Sequence, residues 1–116
     1  MRRVAALAAL LSAAGIALAA KGPETADPTV LLTRYKCYIC HADAETKAGP
    51  AYRDVATHYR GTRDAVPTIA REIRQGLHGG GPWHMPPHPE VPPAEATAMA
   101  RYIMSLAPDP QRRSSR

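Results

Sequence analysis

Cysteine is scarce in this chain, with two among 116 residues. A closed structural zinc site needs four ligands, so cysteine alone cannot build one here. The two stand only three positions apart, at 37 and 40, too close to staple a fold. Strand patterning is missing as well. No alternating strand-and-helix setting surrounds the cysteines, which argues against a thioredoxin-like dithiol. There is no internal repeat. Positive charge is in shorter supply than the formal +5 suggests, because Arg2, Arg3, Arg112, Arg113 and Arg116 lie at the termini and the remainder sums to zero. Nucleic-acid binding through a basic patch is therefore poorly supported. A long apolar run is lacking too. Val4 to Leu18 is uncharged and Ala-rich but interrupted by Ser12 and Gly15, and it is shorter than the ~20 residues of a comfortable membrane span. With Arg2 and Arg3 ahead and Ala17-Leu18-Ala19 behind, it reads as a secretory signal cleaved after Ala19, or else Ala20, rather than a retained anchor. That predicts a periplasmic protein with no stable membrane span.

What the chain does have is Cys37-Tyr38-Ile39-Cys40-His41. Two cysteines spaced by two residues and followed by histidine form the attachment pattern for a c-type haem. Each thiol adds across one vinyl group of the same porphyrin edge, so the sulfurs must sit about one helical turn apart, and the next residue is carried under the iron, where its imidazole can bind. Haem attachment would use both thiols, leaving neither a free thiol nor a disulfide.

The rest of the chain allows one domain, residues 28–107, between a flexible lead-in over 20–27 and a polar basic tail over 108–116. Asp27-Pro28 is a helix start; Val30, Leu31, Leu32 and Tyr35 supply an apolar face, and the helix is expected to run from 28 to about 40. Gly49-Pro50 marks a fixed loop. Tyr52 to Tyr59 predicts a second helix. Asp64 can cap a third, in which Val66, Ile69, Ala70, Ile73 and Leu77 share a face and Gly76 is the terminator. Residues 76–93 are too rich in glycine and proline for helix or central strand, yet they carry Trp83 and Met85. Ala94 to Leu106 is amphipathic, with Met99, Tyr102, Ile103 and Leu106 on one face. The expected fold is all-α, a bundle of about four helices around one haem.

The sixth iron position points to Met85, whose soft thioether suits iron and, opposite histidine, raises the potential into the range of electron carriers. Met99 and Met104 read as packing residues on the last helix. His84 is the main competitor for iron, His78 and His88 are more distant, solvent-facing candidates, and His58 reads as surface.

These blocks, in this order, resemble class I c-type cytochromes of the small, single-haem bacterial kind. The likeness runs from Asp27 to about Leu106 and includes Lys47-Ala48-Gly49-Pro50-Ala51-Tyr52-Arg53-Asp54-Val55-Ala56, Arg71-Glu72-Ile73-Arg74-Gln75-Gly76, Met85-Pro86-Pro87 and Ala100-Arg101-Tyr102-Ile103. It implies His41 and Met85 as axial ligands, Cys37 and Cys40 in thioether bonds, and the Pro50 carbonyl accepting the other ring hydrogen of His41. It also implies that Tyr102 lies against Leu32 where the first and last helices cross. The chain departs from the family pattern at Lys36, where glycine is common, and in a slightly shorter loop before Met85. There Gly80 falls near a position often held by tryptophan, and Trp83 lies closer to the methionine. The expected function is one-electron transfer by a monomer, with one haem c per chain, to a dehydrogenase or an oxidase or reductase that approaches an exposed haem edge. The rival readings are a dedicated subunit of a larger redox enzyme, a haem protein with an open sixth position for peroxide or gases, and a haem-free dithiol protein.

Overall fold

A computed structural model describes residues 26–79, 84–109 and 111. The signal sequence assigned to residues 1–19, most of the lead-in, Gly80 and Trp83, and all of the tail beyond 109 except Gln111 lie outside the described residues.

Four helices follow one another: α1 Pro28–Arg34, α2 Tyr52–His58, α3 Ala65–Gln75 and α4 Pro93–Ser105, with a short 3-10 turn at Cys37–Ile39 between the first two. Among the described residues there is no strand beyond one isolated antiparallel bridge, between Leu77 and Met85. The fold is all-α. Helix α4 is the common partner, packing against α1, α2 and α3. Ala96, Met99, Ala100 and Ile103 supply its buried face, and the small side chains let the other helices approach closely. Leu31 and Leu32 of α1, Tyr52 of α2, Ile69, Ala70 and Ile73 of α3, and Val91 complete the core.

The Asp27 carboxylate accepts the Thr29 amide at 2.8 Å and Pro28 takes the first helical position, where its missing N–H costs nothing. The expected helix over 28–40 is not continuous. It ends at Arg34 because Lys36 adopts a left-handed backbone, φ 60° and ψ 24°, at the very place where glycine is common in the resembling family. An L-residue in that conformation costs roughly 1–2 kcal/mol. The break lets the haem motif turn away from the helix axis as a separate 3-10 segment. Val30, expected on the apolar face, is 51% exposed; the buried stripe is Leu31 and Leu32, with Tyr35 at its edge. Leu77 likewise lies beyond α3 and is exposed. Asp64 does occupy the N-cap of α3, but its side chain makes no capping bond.

The proline-rich stretch after residue 83 is packed against α3. The His88 amide donates to the Ile73 carbonyl at 3.2 Å, the Arg74 guanidinium donates to the Val91 carbonyl at 3.0 Å, and Val91 is 1% exposed.

Candidate haem site

The Cys37–Ile39 turn is closed by the amides of Cys40 and His41, which both donate to the Cys37 carbonyl, at 3.2 and 3.0 Å. One tight turn therefore presents two thiols and an imidazole together. Burial pushes the Cys37 thiol up, against a smaller opposing effect from hydrogen bonds that include the Tyr52 hydroxyl. Cys40 is exposed.

The His41 ring is oriented from three sides. Its Nδ1 lies 2.8 Å from the Pro50 carbonyl oxygen. A carbonyl can only accept, so that nitrogen carries a proton, and in the neutral ring the lone pair is on Nε2. The Tyr52 ring stacks on the imidazole at a centroid distance of 5.0 Å and an angle of 16°. Beneath it lies Gly49, where an added Cβ would sit 2.8 Å from Nδ1 and 2.9 Å from Nε2. Any side chain there would drive the ring out of place.

Met85 reaches the same space by a different route. Leu77 and Met85 exchange both backbone bonds, N–H to carbonyl at 3.0 and 3.1 Å. Gly76 makes the pairing possible. It sits at φ 75°, ψ 174°, a region essentially reserved for glycine, and a Cβ on it would lie 2.5 Å from the Met85 carbonyl oxygen.

Cys37, Cys40, His41, Pro50 and Met85 all line one cavity of about 1070 Å³, whose walls include Leu32, Val55, Ile69, Ile73 and Ile103. All five residues expected to form the site are thus brought to one place. The residues fit a haem. Two thiols, a free imidazole nitrogen and a thioether face an apolar space of the right order of size. The two large apolar side chains that stand exposed on its lining, Ile39 at 67% and Leu77 at 45%, are ones that a flat apolar group would cover. Among the competitors, His78 and His84 are exposed and stack on each other, and His84 also lines the cavity. His88 is not the solvent-facing residue expected from its loop: it is half-buried, lines the cavity and sits 3.1 Å from Glu90. His58 is exposed, its ring against Tyr59.

Three contributors were not apparent in the sequence. In the sequence Tyr52 marks only the start of a helix and Gly76 only the end of one. Asp43, in the loop after the motif, accepts the Tyr38 hydroxyl at 3.1 Å and also that of Tyr102 from α4, tying the motif to the last helix. These phenols are held above their ordinary range, Tyr38 chiefly by burial and Tyr102 chiefly by its bond to Asp43. No local pattern announces a bond that spans 59 residues.

The sequence pattern of the family described as Cytochrome c matches residues 19–107. The chain belongs to that family. This cytochrome is 38% identical over 89 residues to cytochrome c-551 of Pseudomonas aeruginosa, an alignment covering 76% of this chain and 85% of the relative. It is 43% identical over 72 residues to cytochrome c-552 of Hydrogenobacter thermophilus, covering 60% and 71%. Its fold superposes on the crystal structure of Nitrosomonas europaea cytochrome c552 with a TM-score of 0.65 at 34% identity, covering 67% of this chain and 98% of that one. It is thus a small class I c-type cytochrome, an electron-transfer protein rather than a catalyst, of a family defined by covalently bound haem c.

Proposed function

We propose that this cytochrome is a periplasmic one-electron carrier, with one haem c attached through Cys37 and Cys40 and its iron between His41 Nε2 and the Met85 sulfur. When bound, the haem supplies a reversible ferric–ferrous couple, and a methionine–histidine pair sets it in the range used by carriers. The observation that carries the reading is the convergence of both thiols, the free imidazole nitrogen and the thioether on one apolar cavity.

The chain's own residues do the rest. The Pro50 carbonyl fixes the tautomer and angle of His41 and makes Nε2 the better donor. Tyr52 and Gly49 keep the ring from swinging. The Leu77 bridge and the prolines that follow place the Met85 side chain at low entropic cost. The apolar walls exclude water and favour the less charged form of whatever they enclose. Cys40 is exposed on the motif side, and the haem edge attached there is where a redox partner, a dehydrogenase or an oxidase or reductase, would approach. Such contacts are small and transient. Among the described residues no helix is long and apolar enough to cross a membrane.

The test is a visible spectrum of protein matured in the export compartment, oxidised and then reduced. Sharp reduced haem bands and the far-red absorption of a methionine-ligated ferric haem are expected, with the far-red feature abolished by Met85→Ala and retained in His84→Ala. Its survival in Met85→Ala would sink the ligand assignment. Rapid binding of carbon monoxide by the reduced wild-type protein would favour an open sixth position instead.

A further inference from the structure

The bridge that carries Met85 also brings together two imidazoles, those of His78 and His84. Leu77 and Met85 exchange both backbone bonds, so they form the hydrogen-bonded kind of antiparallel pair. The next pair along, His78 with His84, is then the non-hydrogen-bonded kind, in which the backbones come closest and the two side chains stand on one face. The rings bear this out: their centroids are 5.9 Å apart and their planes 23° from parallel. Both are exposed. Among the described residues this stacking is the one interaction either imidazole makes, and none of the four ring nitrogens has a hydrogen-bond partner there.

We infer that His78 and His84 form a bidentate site for a divalent transition-metal ion of the nickel, copper and zinc group, at the rim of the haem cavity, whose lining includes His84 but not His78. Neutral imidazole is the ligand type these ions favour over magnesium or calcium. A metal–nitrogen bond is about 2.0–2.1 Å, so one nitrogen from each ring must come to within about 3 Å of the other. Small side-chain rotations bring two exposed, near-parallel rings to that separation. Among the described residues no group of three or more His, Cys, Asp or Glu side chains could hold a metal; water therefore completes the coordination shell, and binding is of the reversible, buffer-exchangeable sort rather than that of a structural zinc. Its consequence is local. A metal joining residues 78 and 84 closes the chain across the bridge and stabilises the pairing that holds Met85 in place.

The test is a calorimetric titration of the oxidised, haem-loaded protein with zinc chloride, repeated for His78→Ala, His84→Ala, the double variant and His58→Ala. All three substituted positions are exposed, and unchanged helical circular dichroism verifies the fold of each variant. The expected result is one zinc per chain. Either single substitution should weaken binding by on the order of a hundredfold, because the second nitrogen acts at a high effective concentration, with the double variant little worse and His58→Ala unchanged. Amide exchange at Leu77 and Met85 should also slow in proportion to zinc occupancy. Binding that survives both single substitutions, or that tracks His58, would overturn the assignment. Zinc binding that leaves exchange at Leu77 and Met85 unchanged would overturn the clamp.

Discussion

Replacing Gly76 with alanine should uncouple Met85 from the rest of the site, and the size of the effect follows from two terms. The first is backbone strain. At φ 75°, ψ 174° a residue with a Cβ lies in a region used almost only by glycine, at a cost of about 1–3 kcal/mol. The second is collision. The new Cβ would lie 2.5 Å from the Met85 carbonyl oxygen, 2.9 Å from the Pro87 nitrogen and 3.0 Å from the Pro86 carbonyl carbon. These are backbone atoms, which cannot rotate aside as a side chain would, so the whole Met85 segment must retreat. Retreat breaks the two bonds shared with Leu77, worth about 1 kcal/mol each. The sum is about 3–5 kcal/mol, a large part of the 5–15 kcal/mol typical of a domain. Guanidinium unfolding of the oxidised protein, followed by helical circular dichroism and by far-red absorption in parallel, separates local from global damage. The far-red feature should fade at lower denaturant than helicity does, and the global midpoint should fall. A loss below about 1 kcal/mol with the far-red absorption intact would refute the reasoning.

Asp43→Ala should lower stability by about 1–2 kcal/mol, since two phenol donors lose their acceptor but water can partly replace it at these half-buried positions; thermal unfolding measures this, and Asp43→Asn should recover part of the loss. At alkaline pH, Tyr59 is pushed up to about 12 from the ordinary 10 by burial and by its hydroxyl's bond to Glu72. Its folded form favours the neutral phenol, so that stability is fully present below pH 10 and is lost as pH climbs through about 12. Tyr59→Phe should flatten the fall in urea midpoint across that interval, and an unchanged slope would contradict it. Cys37→Ala with Cys40→Ala should abolish covalent haem and most helicity in far-ultraviolet circular dichroism, because the walls of a cavity of about 1070 Å³ would face water in a chain too small to compensate; native-like helicity would count against this.

The parts of this protein legible in its sequence are those set by near neighbours. The Cys-x-x-Cys-His spacing, the Asp27-Pro28 start and the apolar stripe of α4 each depend on residues within a turn or two. The break after α1 was harder to see. Lys36 is a good helix former, and only its tertiary position forces the left-handed backbone. Val30 failed as a core residue for a related reason: a seven-residue helix against one partner buries a narrow stripe, and composition does not say which side. In the loop around Met85, proline and glycine exclude regular structure without excluding order. Its order comes from the Leu77 bridge and from α3, contacts that no local window contains. The half-burial of His88 in that loop has the same origin.

A carrier that cycles one electron benefits from ligands whose positions do not respond to the change in charge, since preorganised groups need not rearrange as the reaction proceeds. The two proposed ligands are secured in a way that suits this. His41 is oriented by the Pro50 carbonyl, a stacked ring and the absence of a side chain at Gly49. Met85 is placed by backbone bonds to Leu77 over another glycine. None of these contacts uses an ionisable carboxylate or amine, so neither grip loosens with ordinary changes in pH. The ionisable partners, Asp43 with Tyr38 and Tyr102 and Glu72 with Tyr59, instead brace the framework that carries the two segments. Separating the bracing from the grip accounts for a glycine at position 76: the chain accepts glycine's unfolded-state entropy beside α3 because a Cβ there would meet the Met85 and Pro86 backbone, and the close approach fixes a methionine without a charged side chain.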